Sequence, residues 1–213
     1  MSKRKLLVEG VQDKDFFTGI LNQQGFRDVD VYPPRELDST SSNGWTNVLK
    51  QIPILVGQML QADGIEGLGI VIDADHSLSQ GGFLVRLAAI EDILAKSGYF
   101  PAVSPPCKRG GIYEHPDGLP QIGVWLMPNH EVDGMLENFA STIITDQEQC
   151  QLLAHADSTL QQLPVKLFRQ GLDSCSVPDD HIVKTRYPLF LAREVLSGLI
   201  DQLRQGARGA QLP

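Results

Sequence analysis

Cysteine is scarce in this chain: Cys107, Cys150 and Cys175 are the only three, odd in number and widely spaced. No CxxC pair exists, which excludes a zinc ribbon and a thioredoxin-like motif. Reduced, structural thiols in a cytoplasmic protein are the simplest expectation. Five histidines are present, but none stands in an HxxxH or HExxH spacing. Positive charge is also short. Eighteen Lys and Arg face 26 Asp and Glu, for a formal net charge of -8. That excludes a histone-like basic coat and leaves only a local basic groove open for nucleic acid. Long apolar runs are missing too. Leu6-Leu7-Val8 after the basic start breaks at Glu9-Gly10, so no signal sequence is expected, and no run of about 18 apolar residues offers a membrane span.

What is present is ordinary globular composition: 213 residues, 42% hydrophobic and 21% charged. A chain of this length buries enough surface to fold without disulfides or a structural metal. Lys5 to Val8 reads as a short buried strand, followed by a helix over about Gln12 to Gln24. Val29 to Val31 suggests a second strand, and Arg35 to Gly44 is Ser/Thr/Asn-rich and reads as a loop. Trp45 to Leu60 is helical in pattern, with a kink or break expected at Pro53. Leu68 to Ile72 is an apolar run of the kind buried on both faces of a parallel sheet. A helix over Gly82 to Lys96 carries Phe83, Leu87, Ile90 and Leu94 on one stripe. Strands are expected near Gly111 to Glu114 and Ile122 to Met127. Helices are expected at Asp133 to Ala140, Asp146 to Leu163, and from Pro188 to about Gln205. Strands alternating with helices predict an α/β sandwich. We divide it as a core over 1–145 and a helical part over 146–213 packed on that core.

Two constellations carry chemistry. In Val8-Glu9-Gly10-Val11-Gln12-Asp13, Glu9 sits where a strand ends and a helix begins, the edge where α/β active sites collect. Asp13 falls in the first helical turn and can point back toward Glu9, or simply favour the helix dipole. In Asp73-Ala74-Asp75, an apolar strand runs straight into two acids. On extended chain these face the same side, where they repel unless a cation lies between them. Such hard oxygen ligands suit Mg²⁺ or Mn²⁺. The bland alternative is a loop with two solvated acids. Lys108-Arg109-Gly110-Gly111 reads as a phosphate cradle or as a solvated hairpin end.

Together, Glu9-Gly10 and Asp73-x-Asp75 resemble the motifs of the TOPRIM domain, found in topoisomerases, bacterial primases and the overcoming-lysogenization-defect nucleases. The nuclease branch carries an Asp four residues after the Glu, matched here by Asp13. Gly123-Val124-Trp125-Leu126-Met127-Pro128, followed by Asp133-Gly134-Met135-Leu136-Glu137, resembles a small, functionally uncharacterised group of bacterial TOPRIM-like proteins. Asn129 stands where that group has Asp. The resemblance covers about residues 4 to 140. It implies a three-layer sandwich around a central, largely parallel sheet, with a helical C-terminal extension. It also implies Mg²⁺ or Mn²⁺ held by Glu9, Asp13, Asp73 and Asp75, with Glu137 as a further ligand and Lys184 as the late lysine of the nuclease branch.

The leading expectation is a metal-dependent phosphodiester-cleaving enzyme, nuclease-like, in which Glu9 ligates metal or acts as general base and Lys184 assists. Lys108 and Arg109 would hold phosphate, and nucleic acid would be the partner. One alternative is a non-catalytic metal- or nucleotide-binding partner subunit of a separate ATPase. Another is a haloacid-dehalogenase-type phosphatase, with Asp73 as nucleophile, Asp75 as general acid, and Asp179-Asp180 and Lys184 as later motifs.

Overall fold

The computed structural model describes residues 4–61, 64–76, 81–103, 110–144 and 146–162. The chain divides into two units, Met1–Leu136 and Glu137–Pro213. The first is α/β. Its elements run β1 (Arg4–Leu7), α1 (Val11–Gln23), β2 (Val29–Tyr32), α2 (Pro34–Leu37), α3 (Trp45–Met59), β3 (Gly67–Asp73), α4 (Phe83–Lys96), β4 (Phe100–Pro101), β5 (Gly111–Glu114) and β6 (Ile122–Met127). α5 (Leu136–Ile143) begins at the last residue of this unit, and α6 (Gln147–Gln162) belongs to the second. The helix expected from Pro188 lies outside the described residues.

The sheet has six strands in the order β2-β1-β3-β6-β5-β4. β2, β1, β3 and β6 are mutually parallel, while β5 pairs antiparallel with β6 and β4 with β5. It is therefore mixed: the parallel part runs from the β2 edge to β6, and β5 and β4 form the antiparallel side. Alternation along the strands builds one continuous apolar face. Leu7 pairs with Ile70, and Ile70 with Val124. Ile72 pairs with Leu126. These residues are at most 2% exposed, and they join Ile52 and Leu55 of α3 and Ile90 and Leu94 of α4 in one core cluster. Burying each such side chain contributes about 1.5–3 kcal/mol. α3 and α4 also pack on each other. α3 runs through Pro53 without ending. A proline costs its helix one hydrogen bond, but this helix offers its apolar face to the core and tertiary packing outweighs local propensity.

The chain leaves β1 toward β2 on one side, while β3 leads away toward β6 on the other. The carboxyl ends of β1 and β3 thus flank a topological switch point, where α/β sheets open a crevice because the connections part there. Glu9 lies two residues past β1, and Asp73 is the last residue of β3.

Candidate functional site at the β1–β3 switch point

Glu9 is fixed from both ends of its residue. Its Oε1 accepts a hydrogen bond from the Asp73 N–H at 3.2 Å, and its carbonyl accepts one from the Gly44 N–H at 3.0 Å. Gly44 is the N-cap of α3, so the same contact seats Trp45, the first residue of that helix. Gly10 caps α1 in an extended conformation, and its N–H donates to Asp13 Oδ2 at 2.8 Å. This is half of a capping box, an acid of the first turn reaching back to the cap's own N–H. It pins Asp13, only 8% exposed, beside the end of β1.

Asp73 and Asp75 take different partners. Asp73 Oδ1 accepts from the Leu136 N–H at 2.8 Å. Asp75 has φ +58, in the left-handed region, and its backbone exchanges two hydrogen bonds with Gly134 at 2.7 and 2.8 Å. Expecting both acids on one side presumes extended chain. That alternation stops when β3 ends at Asp73, because the left-handed residue turns the backbone out of the strand direction. Gly81 lies against the turn: a Cβ there would stand 2.5 Å from the Cβ of Asp75, so any larger residue displaces it.

The carboxylate of Asp75 forms an ion pair with the Nη2 of Arg86, in the first turns of α4. Arg86 is 4% exposed, and its guanidinium lies over the Trp45 ring, 3.7 Å from the centroid. Its Nε and Nη1 are buried without a hydrogen-bond partner among the described residues. The start of α4 is held by Asp133, whose Oδ1 accepts from the Phe83 N–H at 2.7 Å. Past the end of β6, His130 Nδ1 accepts from the Leu126 N–H at 3.0 Å. Its ring meets Phe83 edge-on, 5.4 Å between centroids. Its buried Nε2 has no partner among the described residues. Burial lowers its pKa, so the neutral imidazole is favoured. Asn129 accepts from the N–H groups of Glu131 and Val132, both at 3.1 Å, and so organises the turn after Pro128.

These charges act on Glu9. Its pKa is pushed up from 4.5 to about 7, first by burial, then by the negative charges of Asp75 and Asp13. Arg86 and the Asp73 N–H oppose the shift. The structure therefore brings Glu9, Asp13 and Asp75 into one electrostatic cluster with the Arg86 guanidinium, and Asp73 contributes its N–H to Glu9. Glu137 lies in the first turn of α5, in the second unit. Lys108, Arg109 and Lys184, and with them Asp179 and Asp180, lie outside the described residues. Three oxygen-donor side chains in one cluster suit a hard cation chemically. Their present hydrogen bonds do not form a ligand shell: among the described residues, no group of three or more His, Cys, Asp or Glu is arranged to hold a metal ion.

A family model for a protein of unknown function, DUF3226, matches residues 3–192. The chain belongs to the DUF3226 family. No curated protein and no solved structure matches it. The matched span contains every residue of the cluster, and Arg86 with it. Sequence reasoning passed over Arg86, although a signal was there. Phe83, Leu87, Ile90 and Leu94 form the apolar stripe of α4, and Arg86 stands one residue from Leu87 and three from Phe83. A charge on the core side of a helix needs a buried partner. Among the described residues no helix is long and apolar enough to cross a membrane.

Proposed function

We propose that this DUF3226 chain is a TOPRIM-like, metal-dependent phosphodiester-cleaving enzyme, nuclease-like in its chemistry. One observation carries the reading. Glu9, Asp13 and Asp75 gather beside the carboxyl ends of adjacent parallel strands, and burial first, then the charges of Asp75 and Asp13, raise the Glu9 pKa to about 7. A carboxyl group tuned to neutral pH is what general acid–base work requires. The finer architecture belongs to the same proposal: a three-layer sandwich with a helical C-terminal extension. Its support is that right-handed crossovers would send α1 to the sheet face opposite α3 and α4.

Glu9, Asp13 and Asp75 would hold Mg²⁺ or Mn²⁺, with Asp73 at the strand end beside them. When bound, the cation would supply Lewis-acid stabilisation of phosphoryl charge and lower the pKa of water. The rest is the work of this chain. Glu9 accepts a proton at its carboxylate, positioned by the Asp73 N–H. Asp13 fixes the turn at Gly10 that aims Glu9. Arg86 orients Asp75. Lys108, Arg109 and Lys184 would hold phosphate. The deciding experiment incubates purified protein with plasmid or RNA and Mg²⁺ or Mn²⁺, beside Glu9→Gln. Cleavage by wild type and loss in the variant are expected. Equal cleavage by both would remove Glu9 from the chemistry, and none by either would sink the nuclease reading.

A second reading has its own support. Asp75 is already neutralised by Arg86, which fits a cytoplasmic partner subunit that binds nucleotide or metal beside an ATPase without hydrolysis. Nucleic-acid binding that weakens steeply with salt favours the nuclease; salt-independent capture of an ATPase favours the subunit.

A further inference from the structure

Arg86 leaves two buried nitrogens without an acceptor. Guanidinium carries five N–H donors and accepts nothing, and buried donors are ordinarily satisfied. Its Nη2 holds Asp75, but Nε and Nη1 find no acceptor among the described residues, at 4% exposure. The acids of the site do not fill that gap. Glu9 takes the Asp73 N–H, Asp13 the Gly10 N–H and Asp133 the Phe83 N–H, while Asp75 reaches Nη2. Trp45, its ring centroid 3.7 Å from the guanidinium carbon, offers an indole N–H, which is a donor only. The guanidinium is aimed at the start of α4. Helical side chains lean toward the N-terminus, and Asp75, which Arg86 reaches, lies against Gly81, one residue before the Gly82 cap. Two more donors wait at this helix head. Gly82 donates to the Ala74 carbonyl and Phe83 to Asp133, but the N–H groups of Leu84 and Val85 have no acceptor among the described residues. α4 is 14 residues long, so its N-terminal dipole adds to the positive field of Arg86. The Asp75 side chain is 21% exposed, which places the pair just beneath the surface.

We propose that Arg86 and the head of α4 form a receptor for a phosphodiester group, whose non-bridging oxygens accept from the idle N–H groups of Arg86 and of the first helical turn. This deepens the phosphodiester-cleaving reading and rests on it for the class of substrate; the receptor itself needs no metal. Planar guanidinium donors suit phosphate oxygen, and a helix N-terminus adds backbone donors of the same sense. The neighbouring acids choose among phosphates. Glu9, Asp13 and Asp75 repel a dianion more than a monoanion. A diester carries one charge shared by two oxygens, so it is favoured over inorganic or monoester phosphate. Arg86 is thus a substrate-binding residue beside Glu9 at the switch point.

The test uses the full chain with chelator and no metal, and diethyl phosphate as the probe. NMR follows the Arg86 Nε–H resonance, assigned by its loss in Arg86→Lys, and the amides of Leu84 and Val85. All three signals should shift saturably in wild type. In Arg86→Lys, which keeps a charge for Asp75 but lacks Nε–H and Nη1, the Leu84 and Val85 amides should report affinity about tenfold weaker, the worth of one charge-assisted contact. Lys96→Gln, at the far end of α4, should bind as wild type does. A loss in Lys96→Gln equal to that in Arg86→Lys would overturn the site in favour of general attraction. An Nε–H signal unmoved by diethyl phosphate would overturn it outright, and water would then serve the buried donors. Inorganic phosphate or acetate binding as tightly as the diester would overturn the choice of ligand. If the diester binds at Arg86 but plasmid and RNA stay intact with Mg²⁺ or Mn²⁺, the nuclease reading fails and the receptor stands. Cleavage with Arg86 silent gives the reverse. The Nε–H arm works on wild type, so it decides the matter even where Arg86→Lys does not fold.

Discussion

Glu9 Oε1 receives its hydrogen bond from the Asp73 N–H, 64 residues away in sequence and one strand away in space. The carboxylate is thereby held over the switch point, half-buried and facing other acids. A buried carboxylate among like charges binds a proton more tightly in the folded chain than in the unfolded one.

That tighter proton binding sets the sign of the pH dependence. A folded pKa raised from 4.5 to about 7 means that Glu9 favours the folded state fully below pH 4.5. That contribution is lost as pH rises through 7. With chelator present, stability attributable to Glu9 should fall between pH 5 and 8, by roughly 3 kcal/mol at most. Glu9→Gln keeps the Oε1 acceptor and removes the charge. Urea denaturation at both pH values should show the variant more stable than wild type at pH 8 and equal to it near pH 5. A variant that tracks wild type at both would contradict the shift.

Asp75 tests the buried pair. Asp75→Ala leaves Arg86 charged, 4% exposed and without its counter-charge. Breaking a buried pair by removing one partner costs about 3–5 kcal/mol. The double variant Asp75→Ala/Arg86→Met should recover much of that loss. Asp28→Ala, which breaks the exposed Arg4–Asp28 pair, should leave the melting midpoint nearly unmoved, since such pairs are screened by water. Equal losses from Asp75→Ala and Asp28→Ala would show that the Arg86 pair is not buried in solution.

Much of this arrangement is legible in the sequence, and the illegible parts have physical reasons. The apolar run Leu68 to Ile72 announces a strand buried on both faces, and Glu9 with Asp13 announces a strand end meeting a first helical turn. α2 is hidden because Pro34–Leu37 is one turn long and opens a Ser/Thr-rich stretch, although Pro34 at its first position is a fair start signal. β4 is two residues, one of them Pro101, and exists only through its pairing with β5. The aim of Asp75 depends on a left-handed turn and on Gly134, neither of which the local pattern specifies.

His130 offers a stability test away from the acids. It has φ +58, and its Nδ1 serves the Leu126 N–H, at 2% exposure. His130→Ala abandons that donor and places alanine in a left-handed conformation, at a cost of about 1–3 kcal/mol. His130→Asn should lose less, because Asn tolerates the conformation and offers an acceptor. Chemical denaturation ranks them; alanine as stable as asparagine would mean that neither feature matters.

The metal claim can be separated from catalysis through Asp13. Its carboxylate both caps Gly10 and contributes charge to the cluster. Asp13→Asn keeps an acceptor for the Gly10 N–H and removes the charge, so without metal its melting midpoint should stay at or above that of wild type. Mg²⁺ binds the folded cluster and scarcely the unfolded chain. It should therefore raise the wild-type midpoint, by about 2.7 kcal/mol of stability at a hundredfold excess over Kd. In Asp13→Asn the rise should shrink, because one oxygen charge is gone from the set. Ca²⁺ and Na⁺ at matched ionic strength separate site binding from general screening, which would act on both proteins alike. A Mg²⁺ shift of the same size in wild type and variant would remove Asp13 from the ligand set. No shift in either would sink the cation-binding reading of the cluster, and the partner-subunit reading would then explain the site better than hydrolysis.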